Sequence, residues 1–435
     1  MKVTEQTIPE LIDFIEKSPT VYNAVENIAA VLKNRGFTEI YEGKTWNYDD
    51  FADENGSAKV FCVRNGSALI AARIPRRDFD GFLITASHGD SPTFRIKEDP
   101  ELKSEGYVTL SVERYGGMIC STWMDKPLSC AGRIAYRDDD GSVKTKTVNV
   151  DRDLLLIPNV AIHMDRTVNE SKKFNVAVDM KPLMGIDGGR GFYDQIAESA
   201  NVRKEDIIST ELYLYNRQRG VIWGDGQFIS APRLDDLQCA YGCLKGFLGA
   251  KTVEQAAVYC VFDNEEVGSG TKQGADSTFL SDFLCRVCDA CAPGKTTEYM
   301  RRIANSFMIS ADNAHSVHPN HPEFADQKDR PKINGGIVVK YNAAQKYTTD
   351  CVSAALFEEL CRKANVPVQH FTNRADMAGG STLGNISNAH VSLDTVDIGL
   401  AELAMHSSYE TAGTLDTLYL ENAIAAFYAS VTFKL

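Results

Sequence analysis

Apolar positions along this chain follow two periods, and the switches between them outline its elements. Leu11, Ile12, Phe14 and Ile15 mark one amphipathic helix. Val21, Val25, Ile28, Val31 and Leu32 mark a second, which stops at Gly36. A strand pattern follows: AKVFCVR and SALIAARI flank Asn65-Gly66, a dipeptide suited to a type I′ hairpin turn. GFLITASHGDSP then reads as an apolar strand ending abruptly in polar residues. From about residue 93 to 232 short strand-like runs (YVTLSV, GRIAY, KTVNV, ELYLY) alternate with turns, one of them at Asp140-Gly141. After Pro232 helices and strands alternate again. Leu237, Ala240, Tyr241, Leu244, Phe247 and Leu248 mark a helix, AAVYCVF a buried strand, and SFMISA and GGIVVKY further strands. Residues 350–364, capped by Asp350, and 415–429 read as helices. The alternation predicts an α/β fold, a mostly parallel or mixed sheet flanked by helices.

Composition narrows the function classes. At roughly 100–200 residues per domain, a chain of 435 residues predicts two or three domains. Lys and Arg number 46 against 59 Asp and Glu, a net charge of −13 that disfavours nucleic acid as a partner. MKVTEQTIPE lacks the apolar core of a secretory signal, and no apolar run approaches the ~18 residues of a membrane span. Eleven scattered cysteines, an odd number, argue against a disulfide framework. The expectation is a soluble protein of the reducing cytoplasm.

Candidate chemistry gathers where three strands end. GFLITAS runs into His88 and Asp90, AAVYCVF into Asp263, Glu265 and Glu266, and SFMISA into Asp312 and His315. In open α/β sheets the functional crevice lies outside the carboxyl ends of the strands. Asp235 begins a helix after Pro232, and His406 lies in AMHSSYE ahead of the last helix. These nitrogen and oxygen donors suit zinc or a similar divalent ion. Two ions sharing a bridging carboxylate fit the charge: Asp235, Glu266 and Asp312 leave one positive charge, which a hydroxide neutralises. Glu265, expected on the other side of the chain from its neighbour, is placed to move the proton.

The pieces SHGDSP, APRLDDL, DNEEVGS, SADNAHSVHPN and AMHSSYE, in this order, resemble the successive signatures of the aspartyl aminopeptidase family, and the likeness runs from about residue 20 to 430. The resemblance implies a metallo-aminopeptidase that removes N-terminal Asp or Glu. It implies two divalent ions, zinc first and Mn2+ or Co2+ as alternatives, held by His88, Asp235, Glu266, Asp312 and His406. Asp235 would bridge, Glu265 would act as general base, and Asp90 would orient His88. The long gap between His88 and Asp235 then reads as a β-rich oligomerisation domain, 93–232, inserted into a catalytic domain of 1–92 plus 233–435. Also implied are a dodecamer and a histidine donated by a neighbouring subunit, with NVAIHMD making His163 the candidate. GGIVVKYNAAQKY resembles the segment whose lysine meets the acidic substrate side chain, Lys340 rather than Lys346. The backbone near Gly379, Gly380 and Ser381 would line that pocket; apart from the resemblance, His315 and His318 are expected either to support the ligand Asp312 or to face substrate.

Two other patterns are weaker. CRVCDAC lacks a fourth ligand for an iron–sulfur cluster, so Cys285, Cys288 and Cys291 are expected as buried thiols on one helix face. His315, His318 and His321 recur at steps of three, but Pro319 and Pro322 prevent a helix that would align them. Rival functions are an aminopeptidase of broader specificity and a shell-forming scaffold without catalysis.

Overall fold

The computed structural model describes residues 4–251, 253–430 and 433. Its centre is a nine-stranded mixed sheet. Four neighbouring strands run parallel in the order Ala256–Phe262, Phe82–His88, Phe307–Ala311 and Asp394–Gly399. The hairpin Ala58–Arg64 and Ala68–Ile74 extends one side antiparallel, and Ile337–Lys340 joins the other side antiparallel to Asp394–Gly399. The expected α/β class, a mixed sheet flanked by helices, is the observed one.

Strand alternation explains why the sheet takes helices on both faces. In Ala256–Phe262 every residue is buried. Ala257, Tyr259 and Val261 enter a core built with helices Thr4–Lys17, Val21–Asn34, Leu234–Gly249 and Asp416–Tyr428. Ala256, Val258, Cys260 and Phe262 point the other way, against helix Phe279–Cys291. A strand covered on both faces reads as an unbroken apolar run, as this one does.

The hairpin turn departs slightly from expectation. Asn65 and Gly66 both take positive φ (58° and 70°), as a type I′ turn requires, but Arg64 pairs with Ala68, so Ser67 joins the loop.

Most of the 93–232 stretch forms a separate six-stranded antiparallel sheet with its own core, including Phe94, Leu110, Trp123, Ile134, Phe192 and Leu212. Near the expected boundary at 232 the strands pair outside that sheet. Strands Val221–Trp223 and Phe228–Ala231 belong to a third sheet with Glu410–Gly413, Ala401–Leu403 and Ala314–His315. The strands of the inserted sheet therefore end at Asn216.

The thiol pattern also needs correction. Cys288 and Cys291 are buried, but Cys285 is exposed. At about 100° per residue, steps of three drift about 60° each around a helix, enough to carry the first thiol off the buried face. Among the described residues all eleven cysteines are free, and no helix is long and apolar enough to cross a membrane.

Candidate active site

Register brings the ends of the parallel strands to one level. Phe262 pairs with His88, Ser310 with Ala86 and Ala311 with Ile398, so His88, the turn after Phe262 and Asp312 emerge side by side. Asp235 enters from the start of helix Leu234–Gly249, through a cis Asp235–Asp236 peptide bond. His406 comes from the segment before strand Glu410–Gly413.

These side chains form two trios that share Asp235. His88 Nε2 lies 3.4 Å from Asp235 Oδ1 and 3.8 Å from Asp312 Oδ1. On the other side His406 Nε2 lies 3.4 Å from both Asp235 Oδ2 and Glu266 Oε2. One carboxylate thus divides its oxygens between two clusters of cation-binding type. Asp235 Oδ1 and Glu266 Oε1 are buried without a hydrogen-bond donor, the condition a divalent cation would relieve. Imidazole nitrogens and carboxylate oxygens in this number fit zinc.

The electrostatics follow from crowding acids and imidazoles away from water. Burial opposes a charge on His88, but Asp235, Asp312 and Asp90 outweigh it and hold the imidazole well above its ordinary pKa. His406 is likewise raised against burial, mainly by Asp235, to about 9. Asp312 is held below the usual carboxylate range despite burial, by Lys340 and His88. Glu265, by contrast, is pushed up to about 8, chiefly by burial.

Asp90 does more than orient an imidazole. Its main-chain oxygen lies 3.1 Å and its Oδ1 3.4 Å from His88 Nδ1. The same carboxylate accepts the main-chain N–H groups of Glu265 and Glu266, each at 3.2 Å, and the Tyr115 hydroxyl at 2.6 Å. Glu265 and Glu266 occupy a 3-10 turn, Glu265–Val267. Successive side chains in such a turn diverge by about 120° rather than the 180° of a strand. Both carboxylates therefore reach His88, where opposite sides had been expected.

The remaining expected residues fall as follows. Lys340 is buried at the end of its strand, donating to the Asn313 carbonyl at 2.8 Å and lying 3.4 Å from Asp312 Oδ2. His315 sits at a strand end with its ring beside Phe371, 6.0 Å between centroids. Gly380 faces open space, while the Ser381 hydroxyl donates to Asn385 Oδ1 at 2.9 Å. His163 is exposed in the irregular stretch 158–175 and touches none of the candidate ligands of its own chain.

Sequence reading missed Asp236 and the inserted sheet's contribution. Asp236 is fully buried and accepts the His88 main-chain N–H at 3.2 Å; the doubled Asp of RLDDL was its one signal. The loop after strand Tyr107–Tyr115 supplies the Gly117 carbonyl, 3.0 Å from His406 Nδ1, and Ile119 donates to the His406 carbonyl at 3.0 Å. A Cβ on Gly116 would lie 3.1 Å from that of Glu266. The run YGG carried no recognisable metal signature, because its role is played by backbone.

A mixed sheet with a carboxylate shared between two histidine-containing clusters at its strand ends is an arrangement suited to a metallohydrolase. The sequence profile of the family described as Aminopeptidase I zinc metalloprotease (M18) matches residues 14–428, and the chain belongs to that family. It is 45% identical over 438 aligned residues to the probable M18 family aminopeptidase 2 of Clostridium acetobutylicum, covering 98% of this chain and 100% of that protein. A cryo-EM structure of the Ape4 and Nbr1 complex matches with TM-score 0.94 at 32% identity, covering 98% of this chain and 86% of that one. The S. cerevisiae mApe1 dodecamer matches with TM-score 0.85 at 26% identity, covering 98% of each chain. The chain is thus a zinc-metalloprotease-family enzyme of aminopeptidase type.

Proposed function

We propose that the chain removes N-terminal acidic residues from peptides at a two-cation site. The observation that carries this reading is the division of the Asp235 carboxylate between the His88/Asp312 and Glu266/His406 trios. His88, Asp235 and Asp312 would hold one ion, and Asp235, Glu266 and His406 the other, with zinc favoured over Mn2+ or Co2+ by the family description. Zinc bound there supplies Lewis acidity, which activates water and polarises a carbonyl. Glu265 takes a proton from the attacking water and passes it to the leaving peptide nitrogen; its upward-shifted carboxyl suits a group that must hold and release a proton near neutrality. Asp90 keeps His88 and the Glu265–Glu266 turn in register.

Acidic specificity is assigned to Lys340, whose ammonium has three donors and uses one on Asn313 and a second toward Asp312. The backbone at Gly380 and Ser381, with His315, would line the same pocket. His163, exposed and apart from its own chain's ligands, is assigned to a neighbour's site, where its imidazole donates to the developing oxyanion. That role requires a homo-oligomer, and the dodecameric assembly of the similar S. cerevisiae mApe1 supports twelve subunits. Eleven free cysteines fit a reducing, cytoplasmic setting.

Glu265→Gln is expected to keep two zinc ions per chain by elemental analysis while turnover falls by about two to four orders of magnitude. Near-normal hydrolysis by that variant would remove Glu265 from the mechanism. Asp-, Glu- and Leu-terminal peptides assayed side by side test the specificity: equal kcat/KM for all three overturns the acidic preference.

A further inference from the structure

We infer that Glu410 is a positioning residue that fixes the separation of Asp235 from His406, and thereby builds the second cation site; the inference rests on the two-cation reading above. Glu410 is 1% exposed, and its carboxylate is divided between two main-chain donors. Oε1 accepts the N–H of His406 at 2.7 Å, and Oε2 accepts the N–H of Asp235 at 3.1 Å. The side chains of those same two residues meet at 3.4 Å, His406 Nε2 to Asp235 Oδ2. Glu410 itself belongs to neither trio, and its hydrogen bonds to the site go to main-chain N–H groups.

Local structure makes this clamp necessary. Glu410 opens strand Glu410–Gly413 and pairs with Ala231, so it lies alongside the chain that leads through Pro232 into Asp235. His406 holds φ at +66° and Ala404 at +58°, left-handed conformations that non-glycine residues adopt only at a steric cost. Such a conformation persists only where the surroundings over-determine it. For His406 the restraints are Glu410 at its N–H, Ile119 at its carbonyl and Gly117 at its ring. The two trios share Asp235, but the His88 side has further anchors in Asp90 and Asp236, whereas His406 depends on Glu410 directly. Loss of Glu410 should therefore weaken the Glu266/His406 site much more than the His88/Asp312 site.

The test is a zinc titration of chelator-stripped protein against a chromophoric competitor, with the melting temperature of each stripped protein measured alongside. Glutamine has nearly the shape of glutamate but replaces one acceptor oxygen by a donor NH2, so it can hold only one of the two N–H groups. Wild type is expected to bind two ions per chain. Glu410→Gln should still bind two at saturation, one of them about 10–100-fold more weakly and the other within about threefold of wild type. Its kcat should recover as free zinc is raised. Wild-type affinity at both sites overturns the proposal, as does equal weakening at both sites together with a lower melting temperature of the stripped protein. Should Glu410→Gln fail to fold, Glu410→Asp is judged by the same criteria, since it keeps both acceptor oxygens one methylene short. A wild type that binds one ion or none overturns the two-cation reading itself, an outcome distinct from failure of the Glu410 role.

Discussion

At the residue scale, His406 shows how an imidazole crowded among buried carboxylates holds its proton. Its imidazole is raised to about 9 because, against burial, it answers the charge on Asp235. Glu265 and Glu410 are each pushed to about 8, primarily by burial. All three shifts are upward from the unfolded values, so each contributes stability that is present below its unfolded pKa and lost as pH rises through its folded pKa. Metal-stripped protein is therefore expected to lose stability as pH rises from about 4.5, the unfolded value of the two glutamates, to about 9, the folded value of His406. Zinc affinity should rise over the same range, because the cation displaces these protons. Urea midpoints of stripped protein across that range check the first statement, and a midpoint that climbs with pH would contradict it. Calorimetry in buffers of different ionisation enthalpy counts the protons released.

At the scale of elements, local signals were legible wherever one element satisfies its own needs. Asp350 was recognisable as a cap, and it accepts the N–H groups of Val352 and Ser353 at 2.9 and 2.8 Å while the Ser353 hydroxyl accepts the main-chain N–H of Asp350 at 3.0 Å. Asp350→Ala is expected to cost about 1 kcal/mol in chemical denaturation, with little change in kcat. The two-sided burial of AAVYCVF was likewise readable from its unbroken apolar run. What failed were inferences about where neighbouring side chains point. Glu265 and Glu266 were expected on opposite sides because a strand alternates; the 3-10 turn they occupy does not. Cys285 was placed with Cys288 and Cys291 on a buried face, but the drift of three-residue steps turns it to solvent. In both cases the residue spacing was read correctly and the local backbone period was not.

At the scale of the whole molecule, the six-stranded antiparallel sheet packs its loop directly against the candidate site. It presents Tyr115 to Asp90 and the Gly117 carbonyl to His406, so its docking completes both ends of the site. His163 is exposed in its own chain, and the proposed function carries the same logic across subunits. If His163 serves a neighbour, particles co-assembled from inactive His163→Phe and Glu265→Gln chains should regain activity. Random mixing leaves up to about a quarter of sites with both groups intact. Activity equal to the mean of the two unmixed variants would place the His163 function within one chain.

The chemical kinds of the candidate site were written in the chain itself: apolar strands that end in His88, in Glu265 and Glu266, and in Asp312 place nitrogen and oxygen donors at the sheet end where α/β folds carry their crevice. Tertiary structure alone decided their partition. Which oxygen of Asp235 faces which histidine depends on strand register, on the left-handed turn at His406 and on the Glu410 carboxylate spanning residues far apart in the chain. Those are distances between separate elements, and no local pattern of residues encodes them.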